Sequence, residues 1–156
     1  MTRKLNPQGM IDQSRWLFAN QAQYKDRVFD AFKEAAKVNN LPCEIQEETF
    51  KSGGMFGSKD TLLSVDGGYT AFCVIGATTY GNYLIVTLYT LTEDNLLNKL
   101  SARAARTGLD NLAYIGKDMI NVRDMEAFIT CVKATLEDAF LNLSIEEVNS
   151  GFLGVK

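Results

Sequence analysis

The most informative absence in this sequence is histidine, because none of the 156 residues is a histidine. Histidine is the usual general base beside a serine or cysteine nucleophile, so a Ser-His-Asp triad and a Cys-His pair are both excluded. Zinc, non-haem iron and haem sites that need imidazole ligands are excluded with them. We therefore expect no catalytic residues, no metal site and no cofactor.

Cysteine, long apolar runs and excess charge are also scarce. Cys43, Cys73 and Cys131 form no C-x-x-C pair and predict no disulfide framework, which favours a reducing, cytoplasmic location. No apolar stretch approaches the roughly 20 residues of a membrane span, and the N-terminus lacks the apolar run of a secretory signal. The net charge of −3 indicates no particular partner, and nucleic acid is disfavoured because its binders are usually basic.

Apolar periodicity predicts one helix and then four strands in the first part of the chain. Residues 15–38 place apolar side chains on one side of a helix, and Pro42 marks its end. Alternation predicts strands at residues 43–51, 61–65, 69–75 and 83–91. Tight turns are expected at Asp66-Gly67-Gly68 and at Gly81-Asn82.

The rest of the chain predicts two more helices and a small hairpin. Thr92 suits the N-cap of a middle helix that ends at Gly108. Two short apolar runs within residues 112–122 predict a hairpin, and Asp124 is expected to cap a last helix that continues to Phe140. The apolar residues of the tail, 144–156, predict that it docks on the body or on a partner, whereas residues 1–11 are expected to form a flexible arm.

These elements predict a single α+β domain over residues 1–156. An antiparallel sheet of about four to six strands would be packed by N-terminal, middle and C-terminal helices, in the order α-β-β-β-β-α-β-β-α. This order resembles that of the type III secretion chaperone-like folds in the succession of elements alone, without a shared motif.

The glycine-rich segment is the most unusual stretch of the sequence. It contains Gly53, Gly54, Met55, Phe56 and Gly57. Its spacing does not match a phosphate-binding loop, and a strand rather than a helix is expected after it. One interpretation is an exposed loop that inserts into a partner or touches a membrane interface. The other is that the aromatic ring folds back over the core.

A basic face is predicted on the middle helix and just beyond it. Lys99, Arg103 and Arg106 are four and three residues apart and share a helix face, and Lys117 and Arg123 follow. This face could bind an acidic partner, a phosphate or a nucleic-acid backbone. The alternative is an ordinary solvated surface.

Glutamates are concentrated in the first predicted strand. Alternation puts Glu44 and Glu48 on one face and Glu47 on the other, so we interpret them as the charges of a solvated edge strand rather than as catalytic carboxylates. Among the cysteines, we predict that Cys73 is a core residue and that Cys43 is the most accessible thiol.

The strands at 69–75 and 83–91 carry apolar or aromatic residues on both faces. A sheet covered on one side alone would have a polar outer face. A second copy could close the other face in a homodimer. Alternatively, the sheet curls, or the first helix covers one face and the last helix covers the other.

The sequence thus favours a non-catalytic protein-binding module: an adaptor, an inhibitor or a chaperone-like factor that acts by protein–protein contact. The alternative is a small-ligand-binding domain with a pocket between the sheet and the helices. Its lining would be Phe72, Tyr80, Tyr83 and Tyr89.

Overall fold

The computed structural model describes residues 10–51, 59–92 and 110–145. Its elements are β1 (Met10–Phe18), a 3-10 helix (Ala22–Arg27), α1 (Val28–Val38), β2 (Glu44–Lys51), β3 (Lys59–Asp66), β4 (Ala71–Tyr80), β5 (Tyr83–Thr92) and α2 (Asp110–Asn142). The five strands form one antiparallel sheet in the order β1-β5-β4-β3-β2. The predicted α+β class with an antiparallel sheet is confirmed.

Both predicted turns are present. Residues 67–70 join β3 to β4, and the backbone N–H of Gly68 donates to the carboxylate of Asp66, the last residue of β3, at 2.8 Å. Gly68 has a φ of 86°, which a residue without Cβ adopts at little cost. Gly81 and Asn82 join β4 to β5, which pair from Ala71 opposite Thr92 to Tyr80 opposite Tyr83.

The main core lies on one face of the sheet, which we call the helix face because α1 and α2 both pack there. It contains buried side chains from the sheet, from α1 and from residues 128–145. Phe140 of α2 makes edge-to-face contacts with Trp16 and Phe18 of β1, at centroid distances of 5.4 and 4.8 Å. Each such pair adds roughly 0.5–1.5 kcal/mol beyond the area it buries.

The opposite side of the sheet, the second face, carries a smaller apolar cluster. Leu62, Phe72, Val74 and Leu91 are buried there and Tyr89 packs against them. The prediction that the first and last helices could cover opposite faces is wrong, since α1 and α2 contact each other over the helix face. The cluster is buried within a single copy, so its apolar character does not by itself require a dimer, and the homodimer stays a prediction.

The N-terminal part of the first predicted helix is instead a strand. β1 covers Met10–Phe18, so it also takes in the end of the predicted arm, and α1 begins only at Val28. Phe18 fits the predicted helical stripe, but Trp16 and Phe18 also alternate as in a strand, and pairing with β5 turns both toward the core. This long-range pairing outweighs local periodicity, as tertiary contacts often do.

The predicted hairpin at 112–122 is also wrong, because α2 runs without interruption from Asp110 and so starts well before Asp124. Gly116 suggested a turn, but a glycine inside a helix costs only about 1 kcal/mol. Thr92, the predicted N-cap, is the last residue of β5. The rest of the predicted middle helix, residues 93–109, lies outside the described residues, as do residues 1–9 and 146–156.

Within the described part of the chain, neither helix contains an apolar stretch suited to crossing a membrane.

Candidate functional site

Most of the predicted site residues lie outside the described residues. The glycine-rich loop, Gly53 to Gly57, falls in the connection between β2 and β3, outside the described residues, but the strand expected after it is confirmed as β3. Lys99, Arg103 and Arg106 are outside the described residues as well. Lys117 belongs to α2, in a part whose side chains are not described, and the exposed Arg123 contacts the Asp124 carboxylate at 3.2 Å.

The four aromatic residues of the predicted ligand pocket share the second face but form two separate groups. Phe72 and Tyr89 belong to its apolar cluster. Tyr80 and Tyr83 pair at the far end of the β4–β5 hairpin, where Tyr80 is 81% exposed. Tyr83 and Tyr89 are about 20 Å apart along β5 at roughly 3.3 Å per residue, so the four side chains do not line one pocket.

An open groove of about 700 Å³ lies instead between α1 and β2, on the helix face. Its floor is formed by apolar side chains, and its rim by charged and polar side chains of α1. The lining residues are Asp30, Lys33, Glu34, Ala36, Lys37, Asn40, Leu41, Cys43 and Ile45. We call this site the α1–β2 groove.

The end of α1 shapes one side of this groove. Asn40 has a φ of 49°, its N–H donates to the Lys37 carbonyl at 3.1 Å, and the N–H of Leu41 donates to the Ala36 carbonyl at 3.0 Å. These bonds form a Schellman motif, which caps the last carbonyls of a helix and usually brings an apolar residue back against it. Here that residue is Leu41, which packs against the main core beside Cys43.

The other side of the groove is β2, which is the last strand at one end of the sheet. The predicted edge strand is therefore confirmed. Among the described strands, β2 has only β3 as a neighbour, so the N–H and C=O groups along its outer edge have no strand to pair with. A sheet edge of this kind is a template for an additional strand.

The charges on the rim pair with one another. The Lys33 ammonium is 3.0 Å from the Glu47 carboxylate of β2 and 4.0 Å from that of Asp30, and Lys37 is 3.5 Å from Glu34. These side chains are largely exposed, so each pair contributes little to stability. The contact between Lys33 and Glu47 joins α1 to the edge strand and shows that Glu47 lies on the groove side.

Glu48 points to the second face, as alternation predicted. Its Oε2 atom is buried and has no hydrogen-bond partner within the described part of the molecule. Most buried polar atoms are hydrogen-bonded, and leaving one unsatisfied costs about 1–3 kcal/mol. Among the described residues, the Glu48 carboxylate is therefore an unsatisfied acceptor on the second face.

Cys43 lies in the groove, where burial raises the pKa of its thiol. The prediction that it is the most accessible thiol is wrong, because Cys131 is exposed and Cys43 is only half-buried against the core. Cys73 is confirmed as a core residue. Burial raises its pKa to about 12, although a hydrogen bond with Thr90 acts in the opposite direction. Neither Cys43 nor Cys73 has the lowered pKa of a reactive thiol.

The described residues contain no group of three or more cysteines and carboxylates placed to hold a metal ion. The groove offers an apolar floor, paired charges and a strand edge, and these features suit the binding of another molecule. The sequence did not predict this site, because the position of α1 beside β2 depends on which face of the sheet the helices cover and on where β2 lies in the sheet. The short connection between an amphipathic helix and a charged strand was the available signal.

Comparison with protein-family models, with curated proteins and with solved structures finds no match to this chain.

Proposed function

We propose that this protein is a non-catalytic protein-binding module, an adaptor, inhibitor or chaperone-like factor, that holds an extended segment of its partner in the α1–β2 groove. The observation that carries the proposal is the position of this open groove directly beside an edge strand. Extended peptides bind such sites by adding a strand to the sheet. Main-chain hydrogen bonds then give affinity, and pockets for alternate side chains give specificity.

The floor of the groove provides the apolar contacts that alternate side chains of an added strand need. Ile45 and Cys43 are half-buried and pack against the main core, so the floor is apolar and supported from below. A peptide strand beside β2 would direct every second side chain onto this floor. Burying them would contribute about 25 cal/mol per Å² of apolar surface.

Binding to the groove can be tested with a displayed library of random peptides. Selected peptides should lose about tenfold or more in affinity for Ile45→Asp, because a charge on the floor opposes apolar side chains. They should keep their affinity for Tyr80→Ser, which alters an exposed residue of the second face. Fluorescence polarisation with labelled peptides measures both, and the melting temperature of each variant shows whether it is folded.

A backbone-methylated peptide gives a control that leaves the protein unchanged. Methylating alternate peptide nitrogens, in two complementary versions, removes N–H donors without altering side chains. Strand addition predicts that one version loses binding and the other keeps it. Equal binding of both versions, or a library that yields no peptide for the native chain, would contradict the proposal.

A small-ligand-binding domain is the second candidate, and the groove volume favours it, since ligand sites commonly occupy about 300–1,000 Å³. It predicts a rise in melting temperature with at least one compound of a metabolite screen. The protein-binding proposal predicts no such rise with any compound. It also predicts that the selected peptides compete with one another for the groove.

We also propose a cytoplasmic location and a homodimer, the first because Cys43, Cys73 and Cys131 are free thiols. Light scattering at micromolar concentration tests the dimer, and a clean monomer would remove it.

A further inference from the structure

We propose that β2 selects a partner segment in which apolar and basic residues alternate, with the apolar side chains in the α1–β2 groove and the basic ones on the second face. This inference rests on the proposed function, because it assumes that a strand adds to β2. It goes further by naming the chemistry of that strand.

The two faces of β2 differ in what they offer to an added strand. On the groove side Ile45 is half-buried beside the core, whereas on the second face Glu44 and Gln46 are exposed and Glu48 is half-exposed. Residues directly opposite each other in an antiparallel pair share a face, so each side chain of the partner meets one of these two environments. Opposite charges in such pairs stabilise the sheet and like charges weaken it.

The unpaired negative charge of β2 lies on the second face alone. Glu47, on the groove side, already contacts the Lys33 ammonium at 3.0 Å. Glu44 and Glu48 have no cationic partner within the described residues, and the buried Oε2 of Glu48 also lacks a hydrogen-bond donor there. A lysine or arginine opposite each of them would neutralise that carboxylate.

An alternative role for the same glutamates is to keep the edge strand from pairing with other copies of the chain, which is a common use of edge charges. That role predicts weak binding of acidic and apolar strands, but it does not predict tighter binding of basic ones. The two roles therefore predict different responses to peptide charge.

The test uses labelled peptides of eight residues, the length of β2, that alternate valine with lysine, threonine or glutamate. With the full chain at low salt, fluorescence polarisation should show the Val-Lys peptide binding about tenfold more tightly than the Val-Thr peptide, and the Val-Glu peptide most weakly. High salt should reduce these differences in affinity, because Glu44 is exposed and Glu48 is partly exposed to the screening ions.

The variant Glu44→Gln with Glu48→Gln should remove the preference for Val-Lys and leave Val-Thr binding unchanged. The matched control, Glu126→Gln with Glu137→Gln, changes the net charge equally at exposed positions of α2 and should keep the preference. If Val-Thr binds as tightly as Val-Lys, or if the first double variant aggregates with its preference intact, the basic-partner inference is overturned while strand addition stands. If none of the three peptides binds, the basic-partner inference fails, and the random-peptide library still tests strand addition separately.

Discussion

The two edge strands of the sheet, β1 and β2, differ in how much they contribute to the core. At one end, β1 places Trp16 and Phe18 in the main core, and Phe140 of α2 packs edge-to-face on both. At the other end, none of the described side chains of β2 is fully buried, and the strand borders an open groove. One edge strand is therefore part of the core, and the other is the strand that we propose binds a partner.

The difference follows from the side chains rather than from the backbone pairing, since both strands pair with one antiparallel neighbour. Large aromatic residues dominate core energetics because each buries a large apolar area. Local opening is easiest where buried apolar contacts are few. On our proposal, β2 therefore accepts a partner without a loss of core packing.

Truncating one side chain in each edge strand to alanine gives the largest expected difference in the free energy of unfolding. Phe18→Ala, on β1, should lower the free energy of unfolding by roughly 3–5 kcal/mol, because it removes a fully buried ring with its edge-to-face contact to Phe140 and leaves a cavity. Ile45→Ala, on β2, should cost about 1 kcal/mol, since only part of that side chain is buried. Urea denaturation followed by circular dichroism measures both. Equal losses would show that β2 contributes to the core as much as β1 does.

The thiols give a smaller effect that reports on the groove itself. With a disulfide reagent at mildly alkaline pH, exposed Cys131 should react first, Cys43 more slowly, and Cys73 only after unfolding, since burial raises the pKa of the last two. A peptide bound in the α1–β2 groove should slow Cys43 and leave Cys131 unchanged. Protection of Cys131 instead would place the binding site on α2.

The elements with strong local signals could be predicted from the sequence. The turn at Gly67 and Gly68, the apolar stripe through Phe128, Val132 and Leu136, and the charged character of β2 all follow from residues close together in the chain. β1 could not be predicted, because its alternation is short and its partner, β5, is far away in sequence. Strand pairing at that distance decides between helix and strand.

The site was predictable only in part, for the same reason. The sequence indicated an edge strand and the faces of its glutamates. It did not indicate that α1 would lie beside that strand, that Lys33 would pair with Glu47, or that Oε2 of Glu48 would be buried without a described partner. Each of these facts depends on which face of the sheet the helices cover, and both faces of the central strands are apolar.

Hydrogen–deuterium exchange of the chain with and without a selected peptide tests most directly whether β2 is the binding edge. A strand added to β2 would engage its outward N–H groups, so exchange should slow within Glu44–Lys51 and stay unchanged within Met10–Phe18. Slowing confined to β1, or to the exposed hairpin end at Tyr80 and Tyr83, would contradict the account.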